Sequence, residues 1–297
     1  MITSYSSMIE KISRLRGSTV SVACAQDTDI IEAVYKASAA ACIQPTLFGD
    51  AHEIGRLIKE IGCAGECKII DEPDDTAAAK AAVKSVHDGE ADVLMKGLIN
   101  TSDFLRAVLN KEDGLRSGRI LSHFSAFEIP GRDRMLFITD GGINIAPDLE
   151  EKKNILKNAL AAMRKLGYER PNVAVVAANE QVNEKAAATV HADAIAKAAA
   201  GGEFGECVVE GPIAFDVAIS NDAAHHKHID SRISGRVDLI LTPTIEVGNV
   251  LGKCLSILAG AKMSGVVLGA SAPVVLTSRS ENAESKLNSI LLAATCI

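Results

Sequence analysis

The sequence predicts an α/β protein with mainly parallel sheets, on three observations. Short β-branched runs are continuously apolar rather than alternating, as strands covered on both faces must be. Alanine- and lysine-rich stretches with helical spacing separate many of these runs, the rhythm of α/β units. The chain has 297 residues, more than one core usually fills, so one large or two medium domains are open to it.

Taken in order, the predicted strands are STVSVACA (18–25), DVLMKG (92–97), RILSHF (119–124), RMLFITD (134–140), NVAVVAA (172–178), ECVVEG (206–211), VDLILTP (237–243), SGVVLG (264–269) and APVVLT (272–277). The predicted helices cover about 27–41, 74–88, 102–111, 148–167, 189–200, 246–260 and 280–294. Helix starts support this reading: Asp74-Asp75-Thr76 precedes one helix, Thr101-Ser102-Asp103 another, and Pro147-Asp148 opens the longest. Residues 128–136 (EIPGRDRML) read as a turn that joins two strands with no helix between them. That break places a domain junction near 140.

Composition excludes several classes. A net charge of −7, 3% aromatic residues and no tryptophan argue against nucleic acid as a partner. No apolar run reaches the length of a membrane span, and the N-terminus does not read as a signal peptide. Seven scattered cysteines do not form a disulfide framework, which points to the cytoplasm. No G-x-G-x-x-G follows a strand, and no G-x-x-x-x-G-K-[ST] or G-x-S-x-G occurs. The run His225-His226-Lys227-His228 reads as a solvated patch before a metal site, and Cys63 and Cys67 lack a second pair at zinc spacing.

Open α/β sheets bind ligands beyond the carboxyl ends of their strands, where helix N-termini favour anions. Four such loops are polar here. After DVLM come Lys96, Gly97, Asn100 and Thr101, with Arg106 a turn further on. After RMLFIT come Asp140, Gly141, Gly142 and Asn144; after VDLILTP come Glu246, Gly248 and Asn249. After APVVLT come Ser278 and Arg279, with Ser278 placed to cap a helix and Glu281 to complete a capping box. Each loop also has an ordinary structural reading, as a turn or a cap; the four together favour an anion site.

The stretches MKGLINTSDFLRAVLNKEDGLRSGRILSHFSAF (95–127), FITDGGINIAPDLEEK (137–152), EGPIAFDVAIS (210–220), GRVDLILTPTIEVGNVLGK (235–253) and VLTSRSENAESK (275–286) resemble the phosphate acetyl/butyryltransferase family in that order. The likeness runs over essentially the whole chain and is stronger to the butyryl branch, notably in KEDGLRSGRILSH and ITDGGINIAPDL. It implies two α/β/α sandwich domains with an interdomain cleft, on a fold like that of the isocitrate/isopropylmalate dehydrogenases. The C-terminal segment would return to the first domain, giving 1–140 plus 275–297 and 141–274. It also implies reversible transfer of a short-chain (butyryl or branched) acyl group between coenzyme A and inorganic phosphate. Acyl-CoA, phosphate and acyl phosphate would be substrates; no cofactor would be bound permanently, no metal would be needed, and the protein would be a homodimer or higher homo-oligomer.

In that reaction the CoA thiol must lose a proton while the phosphate and a developing oxyanion are stabilised. Arginine offers phosphate a planar, two-pronged fork. By likeness, Ser278 and Arg279 match the family's Ser-Arg pair, and Arg106 with Lys96, Asn100 and Thr101 matches a second phosphate-facing loop. Asp140, Asn144, Glu246 and Asn249 match substrate-binding loops of the second domain. The acetyl branch carries an aspartate a few residues after its Ser-Arg pair. The ungapped equivalent here is Ser285, which leaves the base to Glu284, ranked first, to Glu281, or to neither. Other readings are a phosphate acetyltransferase, a NAD- and metal-dependent hydroxyacid dehydrogenase using Asp216, Asp222 and Asp230, and a non-catalytic relative.

Overall fold

The computed structural model describes residues 1–14, 17–63, 65, 67–278 and 281–297. They divide into two compact units: a terminal unit of Ser4–Arg119 with Met263–Ile297, and an inserted unit of Ile120–Lys262 with Met1–Thr3.

The terminal unit begins with α1 (Tyr5–Ser13), β1 (Thr19–Ala23), α2 (Thr28–Ala41), β2 (Gln44–Gly49), α3 (Ala51–Ile61), β3 (Lys68–Asp71), α4 (Asp75–His87), β4 (Val93–Lys96) and α5 (Thr101–Val108). Asp27, Asp50 and Asp74 cap α2, α3 and α4, each accepting the N–H three residues on. Each helix therefore starts close after its strand or connecting loop. The strands run parallel in the order β3-β2-β1-β4, so their carboxyl ends share one edge.

In the inserted unit come β5 (Ser122–Glu128), β6 (Leu136–Thr139), α6 (Leu149–Lys165), β7 (Asn172–Val176), α7 (Ala187–Ala200), β8 (Val208–Ile213), α8 (Phe215–Ile219), α9 (Asn221–His226), β9 (Leu239–Leu241) and α10 (Ile245–Lys253). A π-helical turn, Cys254–Leu258, continues α10. The strand order is β5-β6-β9-β7-β8; β5 and β6 are antiparallel and the other pairs parallel. Phe137 stacks on Phe124 at 5.2 Å and meets Tyr168 edge-on at 5.3 Å, aromatic packing that anchors the β5–β6 pair in the core.

The chain then returns to the terminal unit with β10 (Lys262–Leu268), β11 (Val274–Val275) and α11 (Ala283–Thr295). β11 lies parallel to β4 and antiparallel to β10, and α11 packs against α1 and α2. Val274 and Val275 sit opposite Leu94 and Met95, so the residues that follow β11 emerge beside those that follow β4.

The α/β class appears here, as does the helix-free turn between β5 and β6. The unit boundaries differ from the expected division at residues 1–3, 120–140 and 263–274. The physical reason is strand pairing. β5 is held by β6, and β6 by β9, so the hairpin belongs with the inserted unit. β10 is tied through β11 to β4, so it belongs with the terminal one.

Candidate active site

In the terminal unit the strand ends come together tightly. The N–H groups of Gly97 and Leu98 donate to the carbonyls of Ala23 (2.8 Å) and Cys24 (2.7 Å). A Cβ at Gly97 would lie 2.1 Å from the Cys24 oxygen, so only glycine allows this approach of β4 to β1. Lys96 is buried, with Nζ donating to the Gly97 carbonyl at 3.1 Å. Burial, and then the negative Asp75, push the Cys24 thiol up to about 12. Cys24 therefore stays a thiol at neutral pH and is a poor nucleophile.

Asn100 occupies the N-cap position of α5 and Thr101 is its first residue; both are exposed. Arg106 is exposed and pairs with Asp103 at 2.7 Å on the same helix. Such a surface pair is weak, so the guanidinium can exchange its partner for an anion at little cost.

The turn after β11 departs from the expected cap. α11 starts at Ala283, and Asn282 is its N-cap, accepting the Ser285 N–H at 2.9 Å. Ser278 is exposed and lies four residues before that cap. Its N–H donates to Glu281 Oε1 at 2.9 Å, and its carbonyl accepts the Glu281 N–H at 3.1 Å. The Glu281 carboxylate thus takes the Ser278 N–H as in a capping box, while the Glu281 N–H reaches the Ser278 backbone carbonyl, and both bonds lie ahead of the helix. Glu281 is half-buried, and burial raises its carboxyl pKa above the ordinary value, opposed by the Ser278 N–H and by Lys286. Glu284 is exposed in the first turn of α11. Because Glu281 precedes the helix, it does not share a helical face with Glu284 and Ser285. Arg279 lies outside the described residues.

In the inserted unit Asp140 is buried at the end of β6. Its Oδ1 accepts the N–H groups of Gly142 (2.8 Å) and Ile143 (2.9 Å). Its Oδ2 accepts those of His123 (3.1 Å) and Asn144 (3.3 Å), and the Asn144 Nδ2 at 2.6 Å. Asn144 Nδ2 also donates to the Leu121 carbonyl at 2.8 Å. Asp140 thus fastens the β6–α6 loop to the start of β5, and its carboxylate is occupied by the loop itself.

The β9–α10 loop locks onto the same place. Thr242 Oγ1 donates to the Asp140 carbonyl at 2.8 Å, and Asn249 Nδ2 to the Gly141 carbonyl at 3.3 Å. A Cβ at Gly248 would lie 2.6 Å from both the Asp140 oxygen and the Gly141 Cα. Glu246 is exposed in the first turn of α10, and hydrogen bonds from Thr244 and its own N–H lower its pKa. So Asp140, Asn144 and Asn249 form one bonded cluster, and Glu246 is exposed three residues before Asn249 on α10.

Sequence reasoning missed His123 and Lys286. The His123 N–H donates to the Asp140 carboxylate, and its ring packs against Gly142. Its Nδ1 is buried with no hydrogen-bond partner among the described residues. Burial lowers its pKa, only partly opposed by Asp140, which favours the neutral ring. The signal lay in the RILSHF run, where a histidine interrupts a strand. Among the described residues no group of three or more His, Cys, Asp or Glu could hold a metal ion. Of the aspartates considered for a metal, Asp216 is paired with Lys227 at 3.0 Å.

Parallel strands ending in polar loops and helix starts define an α/β scaffold, and solved structures of similar fold give its type. A branched-chain phosphotransacylase from Enterococcus faecalis V583 superposes with a TM-score of 0.83 and 34% identity, over 94% of this chain and 98% of that one. A 4-hydroxythreonine-4-phosphate dehydrogenase from Klebsiella pneumoniae shares the fold alone, with a TM-score of 0.61 and 14% identity over 94% and 98% of the two chains.

A family model described as "Phosphate acetyl/butaryl transferase" matches residues 68–294. The phosphate butyryltransferase of Clostridium acetobutylicum is 43% identical over 99% of this chain and 98% of its own length. The phosphate acetyltransferase of Thermotoga maritima is 40% identical over 96% and 97%. The chain belongs to the phosphate acetyl/butyryltransferase family and is a phosphate acyltransferase.

Proposed function

We propose that the protein reversibly transfers a butyryl or branched short-chain acyl group between coenzyme A and inorganic phosphate, by direct attack of the CoA thiolate on the acyl phosphate. The thiol S–H bond breaks and its proton passes to a base. The S–C bond forms, and the C–O bond to phosphate breaks as phosphate leaves. The observation that carries the reading is the near full-length likeness to a phosphate butyryltransferase, with a branched-chain phosphotransacylase among the similar structures. Acetyl transfer is the second reading, favoured by 40% identity to the Thermotoga phosphate acetyltransferase.

The proposed roles follow the chemistry. Ser278 hydrogen-bonds the reacting acyl phosphate and Arg279 binds its phosphate or carbonyl oxygen. Arg106, Lys96, Asn100 and Thr101 supply a second anion-binding loop; the exchangeable Arg106–Asp103 pair is compatible with that. Glu284 is the proposed base. Asn144, Glu246 and Asn249 contact substrate from the loops that Asp140 shapes. No permanent cofactor or metal is required in this scheme. A homodimer or larger assembly in the cytoplasm is the proposed state. Val250, Ile257 and Leu258, exposed on α10 and the turn after it, are apolar side chains that a second copy would cover. No helix among the described residues is long and apolar enough to cross a membrane.

Rates with acetyl-, propionyl-, butyryl-, isobutyryl- and valeryl-CoA in the presence of phosphate test the acyl preference. Butyryl- or isobutyryl-CoA should exceed acetyl-CoA in kcat/KM by about tenfold or more. Acetyl-CoA as the best substrate would instead establish the second reading.

A further inference from the structure

Lys286 is a charged side chain that the reaction scheme leaves unused, yet it is 4% exposed, in the first turns of α11. Burying an ammonium group costs several kcal/mol unless its donors are satisfied. Here they are directed at two places. Nζ donates to the backbone carbonyl of Glu281 and reaches Asp29 Oδ2 at 3.4 Å. Asp29 lies in the first turn of α2, a helix that packs along α11. Glu281 in turn holds Ser278 through both its carboxylate and its own N–H. The bonds form a continuous line from α2 through Lys286 and Glu281 to Ser278, all within the terminal unit.

The carbonyl that Lys286 takes belongs to the residue before the N-cap, Asn282, which the helix ladder does not reach. Lys286, fixed by packing between α11 and α2, thus ties the Glu281 end of the Ser278–Glu281 link to both helices.

The geometry points to Lys286 as a positioning residue for the acyl transfer: it clamps the Ser278–Glu281 turn to α2 and so fixes where the Ser278 hydroxyl sits. The inference rests on the proposed role of Ser278. Lys286 touches no substrate; it acts through the turn. Holding a reacting group to within a fraction of an ångström is what such a clamp contributes, since displacement by about 1 Å can cost about a hundredfold in rate.

The test is a double-mutant cycle on the full chain with Ser278→Ala and Lys286→Met, reading kcat with butyryl-CoA and phosphate alongside the unfolding temperature. Methionine keeps the length and removes the donors. Ser278→Ala alone should slow turnover by about tenfold or more, and Lys286→Met alone should do the same while the unfolding temperature stays within about 3 °C. In the Ser278→Ala background, Lys286→Met should add less than about twofold, because the group it positions is gone. An equal slowing by Lys286→Met in both backgrounds would overturn the clamp while leaving Ser278 in its role, and so would wild-type turnover in Lys286→Met. Wild-type turnover in Ser278→Ala would overturn the role of Ser278 and the clamp with it. If Lys286→Met does not fold, Asp29→Asn takes its place in the cycle with the same expected non-additivity.

Discussion

The β6–α6 loop and the turn after β11 are built in opposite ways. In the first, one buried carboxylate, Asp140, gathers five hydrogen bonds, and two glycines let a neighbouring loop close over its backbone. In the second, a half-buried carboxylate, Glu281, closes a short turn against Ser278, and Lys286 holds the far side. The first loop spends its polar groups on itself. The second leaves Ser278 exposed. A loop that is saturated supports shape; the proposed role of the second is to present Ser278 to a ligand.

If Asp140 is a brace, Asp140→Ala should give the largest loss of stability, about 3 kcal/mol or more, because it strands several part-buried N–H donors at once. Chemical denaturation reads it directly; a change below about 1 kcal/mol would mean the loop does not depend on the carboxylate. Gly248→Ala should cost roughly 1–3 kcal/mol, since its Cβ would lie 2.6 Å from the Asp140 oxygen. A thermal melt that matches wild type would show that the two loops can separate freely.

The two titratable groups beside these loops should give smaller effects of opposite sign. The folded pKa of His123 is below its ordinary 6.5, so the folded state binds fewer protons than the unfolded state between the two values. Its contribution is complete above 6.5 and is lost as pH falls toward the lowered value. His123→Asn should therefore lose stability less steeply than wild type on acidification, by about 1 kcal/mol at most. Parallel stability–pH curves for the two proteins would contradict this.

Glu281 is the converse case. Its folded pKa is raised above the ordinary 4.5, so the folded state binds more protons in that window. Its contribution is complete below 4.5 and is lost as pH rises through the raised value. Glu281→Gln keeps an acceptor for the Ser278 N–H but does not titrate. Its stability relative to wild type should rise by a few tenths of a kcal/mol between about pH 4 and about pH 7. A fall over the same range would mean that the carboxylate is held by favourable charge more than it is penalised by burial.

What the sequence made legible follows the same divide. DVLMKG is readable because a strand covered on both faces must be continuously apolar, and β4 is fully buried. The family motifs then made the family legible. β2 and β3 escaped because Pro45 interrupts one and the other is half-exposed, so neither has the apolar run that marked the rest. The Ser278 cap was misplaced for a local reason: the Ser–Glu pair that usually opens a helix can also close a turn before it. His123 and Lys286 escaped for a long-range one. The first acquires its setting only when β5 pairs with β6, the second only when α11 packs on α2. Burial of a charged or titratable side chain depends on such pairings, and spacing along the chain does not reveal them.

The central claim, acyl transfer between coenzyme A and phosphate without a resident cofactor, is tested most directly by mixing the protein with butyryl-CoA and phosphate and following the free CoA thiol. With no nicotinamide and no added metal, the thiol should be released at a rate that depends on phosphate and disappears when phosphate is omitted. No phosphate-dependent release with any acyl-CoA from acetyl to hexanoyl would contradict the account.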